Sequence, residues 1–226
     1  MQLSDLHAME FGEHNRRLVQ KVTKLEPDMI ALTGDFIESP EDLPVVATLV
    51  SELSQIAPVY FSSGNHDWGS GVINELKDTI SENGGIYLSG KHPVVEQGGD
   101  SIVLVGLEDP NSRADMPTPD EVLENVSARY PNTYTVVLAH RNNFPRKYPD
   151  LPCDLIFSGH GHGGLIRIPL VGGLIGTEKN LFPTYDAGVF HSGSYDMVVS
   201  RGLGGAPRYP RLLNNPEIVL VTLEQK

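Results

Sequence analysis

The amino-acid sequence predicts an α/β fold, and three observations support this class. Short apolar runs of strand length alternate with segments whose apolar residues recur with the period of a helix. Hydrophobic residues make up 39% of the 226 residues, which is enough to build a folded core. Polar residues with metal-binding side chains directly follow several apolar runs, the position at which α/β proteins bind ligands.

The first half of the chain alternates between helix and strand. Leu18, Val22 and Leu25 share one helical face, and Pro27 ends this helix. The continuous apolar run at residues 29–32 is typical of a buried strand in a parallel sheet. The elements predicted in this half are strands at residues 1–3, 29–32 and 59–61, and helices at residues 13–25, 42–56 and 72–80.

The second half is richer in strands. One helix is predicted at residues 119–129, and the predicted strands are residues 102–107, 134–139, 155–157, 165–168, 197–200 and 218–223. Since no repeat, linker or block of charge divides the chain, residues 1–226 are expected to form one domain. The short first strand leads us to expect that an upstream segment has been removed.

Composition excludes several classes of protein. The chain has 17 basic and 29 acidic residues, so its net charge of −12 argues against an extended surface for nucleic acid. Its single cysteine, Cys153, excludes an internal disulfide framework and a cysteine-rich zinc site. No apolar run approaches the roughly 20 residues of a membrane span, so no transmembrane segment is expected in this chain.

Seven residues with metal-binding side chains follow five predicted strands. Because the carboxyl ends of parallel strands meet at one edge of a sheet, we expect these side chains to converge. The spacing of Asp5 and His7 points both side chains to one side of an extended segment, and His160 and His162 share this spacing. The seven candidate ligands are Asp5, His7, Asp35, Asn65, His140, His160 and His162.

The chemistry of these seven side chains indicates which metals they would bind. Carboxylates, an amide oxygen and imidazoles without a thiolate suit Mn²⁺, Fe or Zn²⁺ better than Mg²⁺ or Ca²⁺ alone. Seven ligands are too many for one ion that keeps a position open for water. They suit two divalent ions that share a bridging carboxylate, the arrangement used for in-line displacement at phosphorus.

The order and spacing of these residues resemble the five-part signature of the calcineurin-like metallophosphoesterase superfamily. The resemblance implies a sandwich of two central β-sheets flanked by helices, and a dinuclear metal-dependent phosphohydrolase. The matching segments are Asp5-x-His7, Gly34-Asp35, Gly64-Asn65-His66-Asp67, His140 and Gly159-His160-x-His162.

The resemblance also implies a role for each residue. Asp5, His7 and His162 would hold one ion. Asn65, His140 and His160 would hold the other, and Asp35 would bridge the two. Two catalytic residues follow from the same motif: His66 would face the substrate as a general acid, and Asp67 would hydrogen-bond His66 and fix its tautomer.

The reaction implied by the family is attack on a phosphodiester by a metal-bridging hydroxide. A phosphomonoesterase, a nuclease, a bimetallic amide hydrolase and a non-catalytic binding module on this fold are the alternatives. Further segments resemble a bacterial branch of membrane-associated phosphodiesterases with an N-terminal anchor, namely residues 140–141, 163–164, 200–204 and 215–218. This branch implies a small or lipid-linked phosphoester substrate, and a cytoplasmic or peripherally membrane-associated protein.

Three further residues are candidates for substrate binding. Arg141 directly follows a predicted ligand and would bind a phosphate oxygen, with an interior ion pair as the alternative. Arg201 lies in a similar position beside glycines. His191 would line the substrate cleft or belong to a surface loop. The apolar run at residues 170–175 favours a pair of core strands over a wall that contacts a lipid-like substrate.

Overall fold

The computed structural model describes residues 1–112, 116–177, 179–205 and 211–224. The strands are β1 (Gln2–Leu3), β2 (Ile30–Thr33), β3 (Val59–Ser62), β4 (Gly85–Tyr87), β5 (Val94–Gln97), β6 (Asp100–Leu107), β7 (Tyr134–Ala139), β8 (Leu155–Ser158), β9 (Arg167–Ile168), β10 (Gly172–Gly173), β11 (Gly188–His191) and β12 (Asp196–Val199). The α-helices are α1 (Arg16–Lys24), α2 (Leu43–Ser54), α3 (Asn65–Gly69), α4 (Ile73–Glu82), α5 (Pro119–Arg129) and α6 (Phe144–Lys147).

Most strands belong to one of two sheets. The first sheet has the order β1-β2-β3-β4, and all of its strands are parallel. The second has the order β11-β12-β8-β7-β6-β5, with four parallel strands between two antiparallel edge strands. β9 and β10 form a separate hairpin. Both sheets therefore present the carboxyl ends of several parallel strands, where loops have room to build a site.

The two sheets pack face to face, and helices cover their outer faces. Along β7, Val136 and Leu138 pack in the layer between the sheets, whereas Val137 packs with residues of α5 on the outside. Residues of α1, α2 and α4 pack against the first sheet in a third cluster. The central strands thus alternate their side chains between two hydrophobic layers, which is why the sequences of strands such as β7 and β8 are apolar runs.

Several elements differ from the sequence predictions. The predicted strand at residues 218–223 is only a bridge between Val219 and Gln2, because β1 offers just two residues for pairing. The pattern also missed β4, β5, β11, α3 and α6. These are short or exposed elements: β5, for example, has no buried residue. Within the described residues, every helix is too short or too polar to cross a bilayer.

Candidate metal centre

The predicted ligands lie in the loops that follow the parallel strands of both sheets. β1, β2 and β3 lead into Asp5, Asp35 and Asn65, while β7 and β8 lead into His140 and His160. Six of the seven fall into two groups, in each of which the candidate ligand atoms lie within 4.8 Å of one another. The first group is Asp5, His7 and His162, and the second is Asp35, His140 and His160.

In the first group, two imidazole nitrogens face each other. Nε2 of His7 lies 3.1 Å from Nε2 of His162, which in turn lies 3.6 Å from Oδ1 of Asp5. Two ligands that each lie about 2.1 Å from one ion, at right angles, are separated by about 3 Å. The facing nitrogens therefore have the spacing that a shared cation requires.

The second group is organised around Asp35. Nε2 of His140 lies 3.0 Å from Oδ2 of Asp35 and 3.2 Å from Nδ1 of His160. The same carboxylate oxygen lies 3.9 Å from Nε2 of His7, a member of the first group. Asp35 thus stands between the two groups, the position that a bridging ligand needs.

An unsatisfied polar atom also points to metal binding. Oδ1 of Asn65 is buried and has no hydrogen-bond partner among the described residues. A buried amide oxygen without a donor is costly unless an ion or an ordered water occupies its lone pair. The chemistry of the donor set and this orphaned oxygen fit two divalent ions.

Hydrogen bonds orient the histidine rings. Nδ1 of His140 lies 2.9 Å from the main-chain oxygen of Thr33, and Nδ1 of His7 contacts Oε1 of Glu38. Since each of these acceptors holds a proton on Nδ1, Nε2 faces the centre and is the nitrogen that would bind metal once it has lost its own proton. Both rings therefore present the atom that would bind metal.

Electrostatics favour positive charge at the centre. Burial lowers the pKa of His140, but the charge of Asp35 and their hydrogen bond outweigh it and raise the pKa to about 10. Burial lowers the pKa of His162 to about 4, and burial with the charge of His140 also lowers that of His160. The carboxylates thus attract a cation, while two imidazoles stay neutral with free lone pairs.

The backbone at the centre is unusual. Asp5, His7, Asp35, His160 and His162 have φ angles between 45° and 65°, in the left-handed region that non-glycine residues rarely adopt. Strain of this kind persists only where the surroundings enforce it. Here, for example, the amide of Asp5 donates to the oxygen of Gly34 at 3.0 Å, and the amide of His7 to that of Asp35.

Gly64 shows why a glycine precedes Asn65. A Cβ atom at this position would overlap Oδ1 of Asp35 and lie 2.5 Å from the amide nitrogen of Asp35. Only glycine permits this close approach of the loop after β3 to the loop after β2. The glycine thus allows Asn65 to stand beside Asp35.

The predicted hydrogen bond between Asp67 and His66 is wrong. Asp67 is buried, and its carboxylate accepts from the backbone amides of Asp35, Phe36, Ile37 and Gly64 at 2.8–3.1 Å. Consecutive residues in helix α3 point in different directions, so the side chain of Asp67 turns away from that of His66. Burial and the charge of Asp35 raise the pKa of Asp67 to about 6, against the effect of its amide donors. Asp67 joins the loops after β2 and β3.

Glu38 takes the place that was expected for Asp67. Its Oε2 lies 2.8 Å from Nδ1 of His66, while Oε1 contacts His7. Burial raises the pKa of Glu38, but its contacts with His7 and His66 outweigh this and leave the pKa lowered. Glu38 was not among the candidate residues, although a carboxylate three positions after Asp35 at a strand end is a usable signal.

Arg141 forms an ion pair, the alternative that was considered beside a phosphate contact. Nε of Arg141 donates to Asp109 at 2.7 Å, and Nη1 lies 3.3 Å from Nε2 of His160. Asp109 follows β6 and was also missed by the sequence analysis. The ion pair with Asp109 holds the guanidinium at the edge of the second ligand group, with 23% of its side chain exposed.

The other two candidates for substrate binding differ in position. Arg201 lies beside the first group, where a Cβ atom at Gly163 would lie 2.8 Å from its Cγ, and it pairs with Glu217 at 3.0 Å. His191 is exposed and pairs with Asp196, which aligns with Leu155 at the start of β8. Since β11 runs antiparallel to β12, His191 lies at the end of the sheet opposite the ligands, and its predicted place in the cleft is wrong.

Comparison with known proteins agrees with this geometry. A family model described as calcineurin-like phosphoesterase matches residues 1–164. The metallophosphoesterase YkoQ of Bacillus subtilis is 30% identical over 96% of this chain and 80% of its own length. Phosphodiesterase YaeI of Escherichia coli is 29% identical over 98% of this chain and 80% of its own. The UDP-2,3-diacylglucosamine pyrophosphatase LpxG of Chlamydia muridarum is 24% identical, with 98% and 82% covered.

A solved structure shares the fold. The crystal structure of the phosphopantetheinyl hydrolase PptH from Mycobacterium tuberculosis aligns with a TM-score of 0.53, with 15% identity and 97% of each chain covered. The predicted α/β architecture of two sheets with helices is thereby confirmed. The match of the family model to most of the chain shows that this protein belongs to the calcineurin-like phosphoesterase family.

Proposed function

We propose that this protein is a phosphodiesterase that works with two divalent metal ions. Asp5, His7 and His162 hold one ion. Asn65, His140 and His160 hold the other, and Asp35 binds both. The observation that carries this proposal is the position of the Asp35 carboxylate, 3.0 Å from His140 in one group and 3.9 Å from His7 in the other.

The bound ions would neutralise phosphoryl oxygens and lower the pKa of a water molecule enough for it to attack phosphorus. The donor set, which has imidazoles and carboxylates but no thiolate, supports Mn²⁺, Fe or Zn²⁺. The remaining tasks belong to the chain itself. They are to hold the phosphate, to protonate the leaving oxygen and to keep the acid in position.

His66 is the proposed general acid. Its side chain is 39% exposed, and Glu38 accepts a hydrogen bond from Nδ1, so Nε2 remains available to the substrate. A proton on Nε2 would pass to the leaving oxygen as its bond to phosphorus breaks. Glu38 is a positioning residue, because its hydrogen bond to Nδ1 orients the ring.

Arg141 is the proposed contact for a phosphoryl oxygen. Its guanidinium is fixed by Asp109 beside His160, with part of the side chain open to solvent. The charge of Arg201 is offset by its partner Glu217, and Glu38 adds a negative charge near His66. These side chains therefore leave little positive charge for a substrate. A phosphodiester carries one negative charge where a monoester carries up to two, so the site favours diesters.

The relatives support this substrate class. YaeI is named a phosphodiesterase, and LpxG is named for a pyrophosphatase activity on a diacylated nucleotide sugar. By analogy, we propose a small or lipid-linked diester as the substrate. An extended nucleic acid is a poorer candidate because the chain carries a net charge of −12.

Metal analysis and paired substrates test the proposal. The purified protein is expected to contain up to two divalent ions per chain by elemental analysis, and chelation should abolish its activity. With Mn²⁺ restored, kcat/KM should be higher for bis(4-nitrophenyl) phosphate than for 4-nitrophenyl phosphate. A monoester that outperforms every diester in a panel including DNA and RNA would overturn the proposed preference.

A further inference from the structure

Two stretches of chain outside the family match pack against the first ligand group. The family model ends at residue 164, whereas residues 202–204 and 211–214 contact the loops that carry Asp5 and His162. These two stretches are here called the clamp. No residue of the clamp is a member of either ligand group, so its contribution to the centre is made through the loops that it contacts.

The first stretch of the clamp holds the loop of Asp5. The amide of Leu203 donates to the main-chain oxygen of Ser4 at 2.9 Å. The amide of Gly204 donates to the main-chain oxygen of Asp5 at 2.7 Å. A Cβ atom at Gly204 would overlap the main-chain oxygen of Leu6, so only glycine permits this close approach. These contacts fix the main chain from which the Asp5 carboxylate extends.

The second stretch holds the loop of His162. Asn214 is 4% exposed, and its Nδ2 donates to the main-chain oxygens of His162 at 2.6 Å and of Leu165 at 3.2 Å. His162 has a φ angle of 45°, in the left-handed region, which persists only where the surroundings enforce it. The amide of Asn214 supplies such enforcement, because it binds the main chain at both ends of this turn.

Arg211 joins the two stretches of the clamp. Its Nη1 donates to the main-chain oxygens of Gly202 and Gly204, at 3.0 and 2.5 Å. Its Nε donates to the main-chain oxygen of Asn214 at 3.0 Å, and Nη2 lies 3.3 Å from Oδ1 of the same residue. The loops after β1 and β8 come from different sheets, and one planar guanidinium therefore connects them.

The charge and the hydrogen bonds of Arg211 would act on a bound ion in opposite directions. Burial lowers the pKa of Arg211, and the charge of Asp5 opposes this shift. A positive charge beside a metal site weakens the binding of a cation by Coulomb repulsion. The hydrogen bonds favour binding, because they hold the ligand loops in place before the ion arrives. Replacement of Arg211 therefore shows which of the two effects is larger.

The second ligand group is held mainly by other partners. Nδ1 of His140 lies 2.9 Å from the main-chain oxygen of Thr33, and the amide of Asp35 donates to the carboxylate of Asp67 at 2.8 Å. These contacts lie within residues 1–164 and do not involve the clamp. The amide of His160 donates to Oδ1 of Asp5 at 3.0 Å, which gives the second group one indirect connection to the clamp.

From these contacts we infer that Arg211 and Asn214 are positioning residues for the first ion. They join the loops after β1 and β8 and hold Asp5 and His162 at the spacing that one ion requires. A change in either residue should therefore release the first ion before the second. The role assigned to these two side chains rests on the proposed function, in that the first group must bind an ion.

Stepwise metal titration of the full chain, followed by elemental analysis, tests this role. Asn214→Ala should weaken the first ion by about 10–100-fold and the second much less. Combined with His7→Ala, which already weakens the first ion, it should cause little further loss. The matched control Asn83→Ala removes an amide that donates to the main-chain oxygen of Thr79 at 2.8 Å, at the end of α4. It should leave both ions at native affinity, even where chemical denaturation shows that the two variants are equally destabilised.

Two variants of Arg211 separate its charge from its hydrogen bonds, and they carry the test if Asn214→Ala does not fold. Arg211→Lys keeps the charge and Arg211→Gln removes it, and both should weaken the first ion by about tenfold or more. A first ion that binds Arg211→Gln more tightly than the native chain would overturn the inference. So would a native chain with two ions beside an Asn214→Ala variant that holds both as tightly. A native chain that binds no ion at all would overturn the proposed function as well.

Discussion

The two ligand groups of the candidate metal centre differ in the hydrogen-bond partner that Nδ1 of a histidine has in each. His7 is oriented by Glu38, a carboxylate that is 29% exposed and also contacts His66. His140 is oriented by the main-chain oxygen of Thr33 and is completely buried. His7 is therefore connected through a charged side chain to His66, the proposed general acid, whereas Nδ1 of His140 is held by the backbone.

This difference has a physical consequence. A carboxylate that accepts a hydrogen bond from a ligating imidazole makes the opposite nitrogen more basic than a neutral carbonyl does. The affinity of the His7 half for its ion should therefore change when Glu38 is replaced. A replacement of His66 should have a smaller effect, because it acts only through Glu38. The orientation of the His140 ring should not change when the side chain of Thr33 is replaced, provided that the main chain of β2 stays in place.

The largest effect is expected where the two halves meet. Asp35→Asn keeps an oxygen that can accept from the amide of His66, a bond of 2.8 Å, but removes the charge shared by both groups. We expect kcat/KM to fall by about 10⁴-fold or more, with both ions lost in elemental analysis. His7→Ala, by contrast, should mainly weaken one ion. Two ions retained in Asp35→Asn would show that this carboxylate is not a bridge.

The next largest effect separates the acid from the ligands. His66→Asn should lower kcat by about 10²–10⁴-fold and leave both ions bound. The loss should shrink for nitrophenolate, since a stable leaving anion needs no proton. His191→Asn, an exposed histidine at the far end of the second sheet, is the control and should leave kcat unchanged. Loss of an ion in His66→Asn would instead make this residue a ligand.

Replacement of Glu38 tests the contrast between the halves directly. Glu38→Gln keeps the hydrogen bonds in part but removes the charge, so we expect about a tenfold loss in kcat and in affinity for one ion. Thr33→Ser retains both the main-chain oxygen and the hydroxyl on the other half, and should change neither quantity. Metal titration and leaving-group series measure both effects. Equal losses in the two variants would remove the distinction between the halves.

The smallest effect on catalysis is expected at Asp67. Asp67→Asn places an amide group against four backbone amide donors, so the free energy of unfolding should fall by about 3 kcal/mol in chemical denaturation. The folded fraction should keep the native dependence on leaving group, because His66 is held by Glu38. A native stability together with a loss of rate confined to poor leaving groups would restore a direct partnership between Asp67 and His66.

Features that depend on neighbouring residues in the chain were predicted from the sequence, whereas features that depend on contacts between distant residues were not. Buried strands such as β2 and β7 were predicted from continuous apolar runs, while the exposed edge strand β5 offered no such signal. The ligand positions followed from the same strands, because each residue lies next to a strand end. Hydrophobicity alone misplaced Leu170 and Val171, since an apolar run does not reveal whether another layer of the protein covers it.

Local order along the chain thus determined the fold class, the strand ends and the seven candidate ligands, because strand period and parallel direction bring these residues to one edge without further information. Tertiary structure alone decided the partners of the side chains. Glu38 reaches His66 across 28 residues, and Asp109 reaches Arg141 across 32. Such pairs depend on how two loops and two sheets pack against each other. An adjacent carboxylate such as Asp67 can therefore be the wrong partner, while a distant one is the right one.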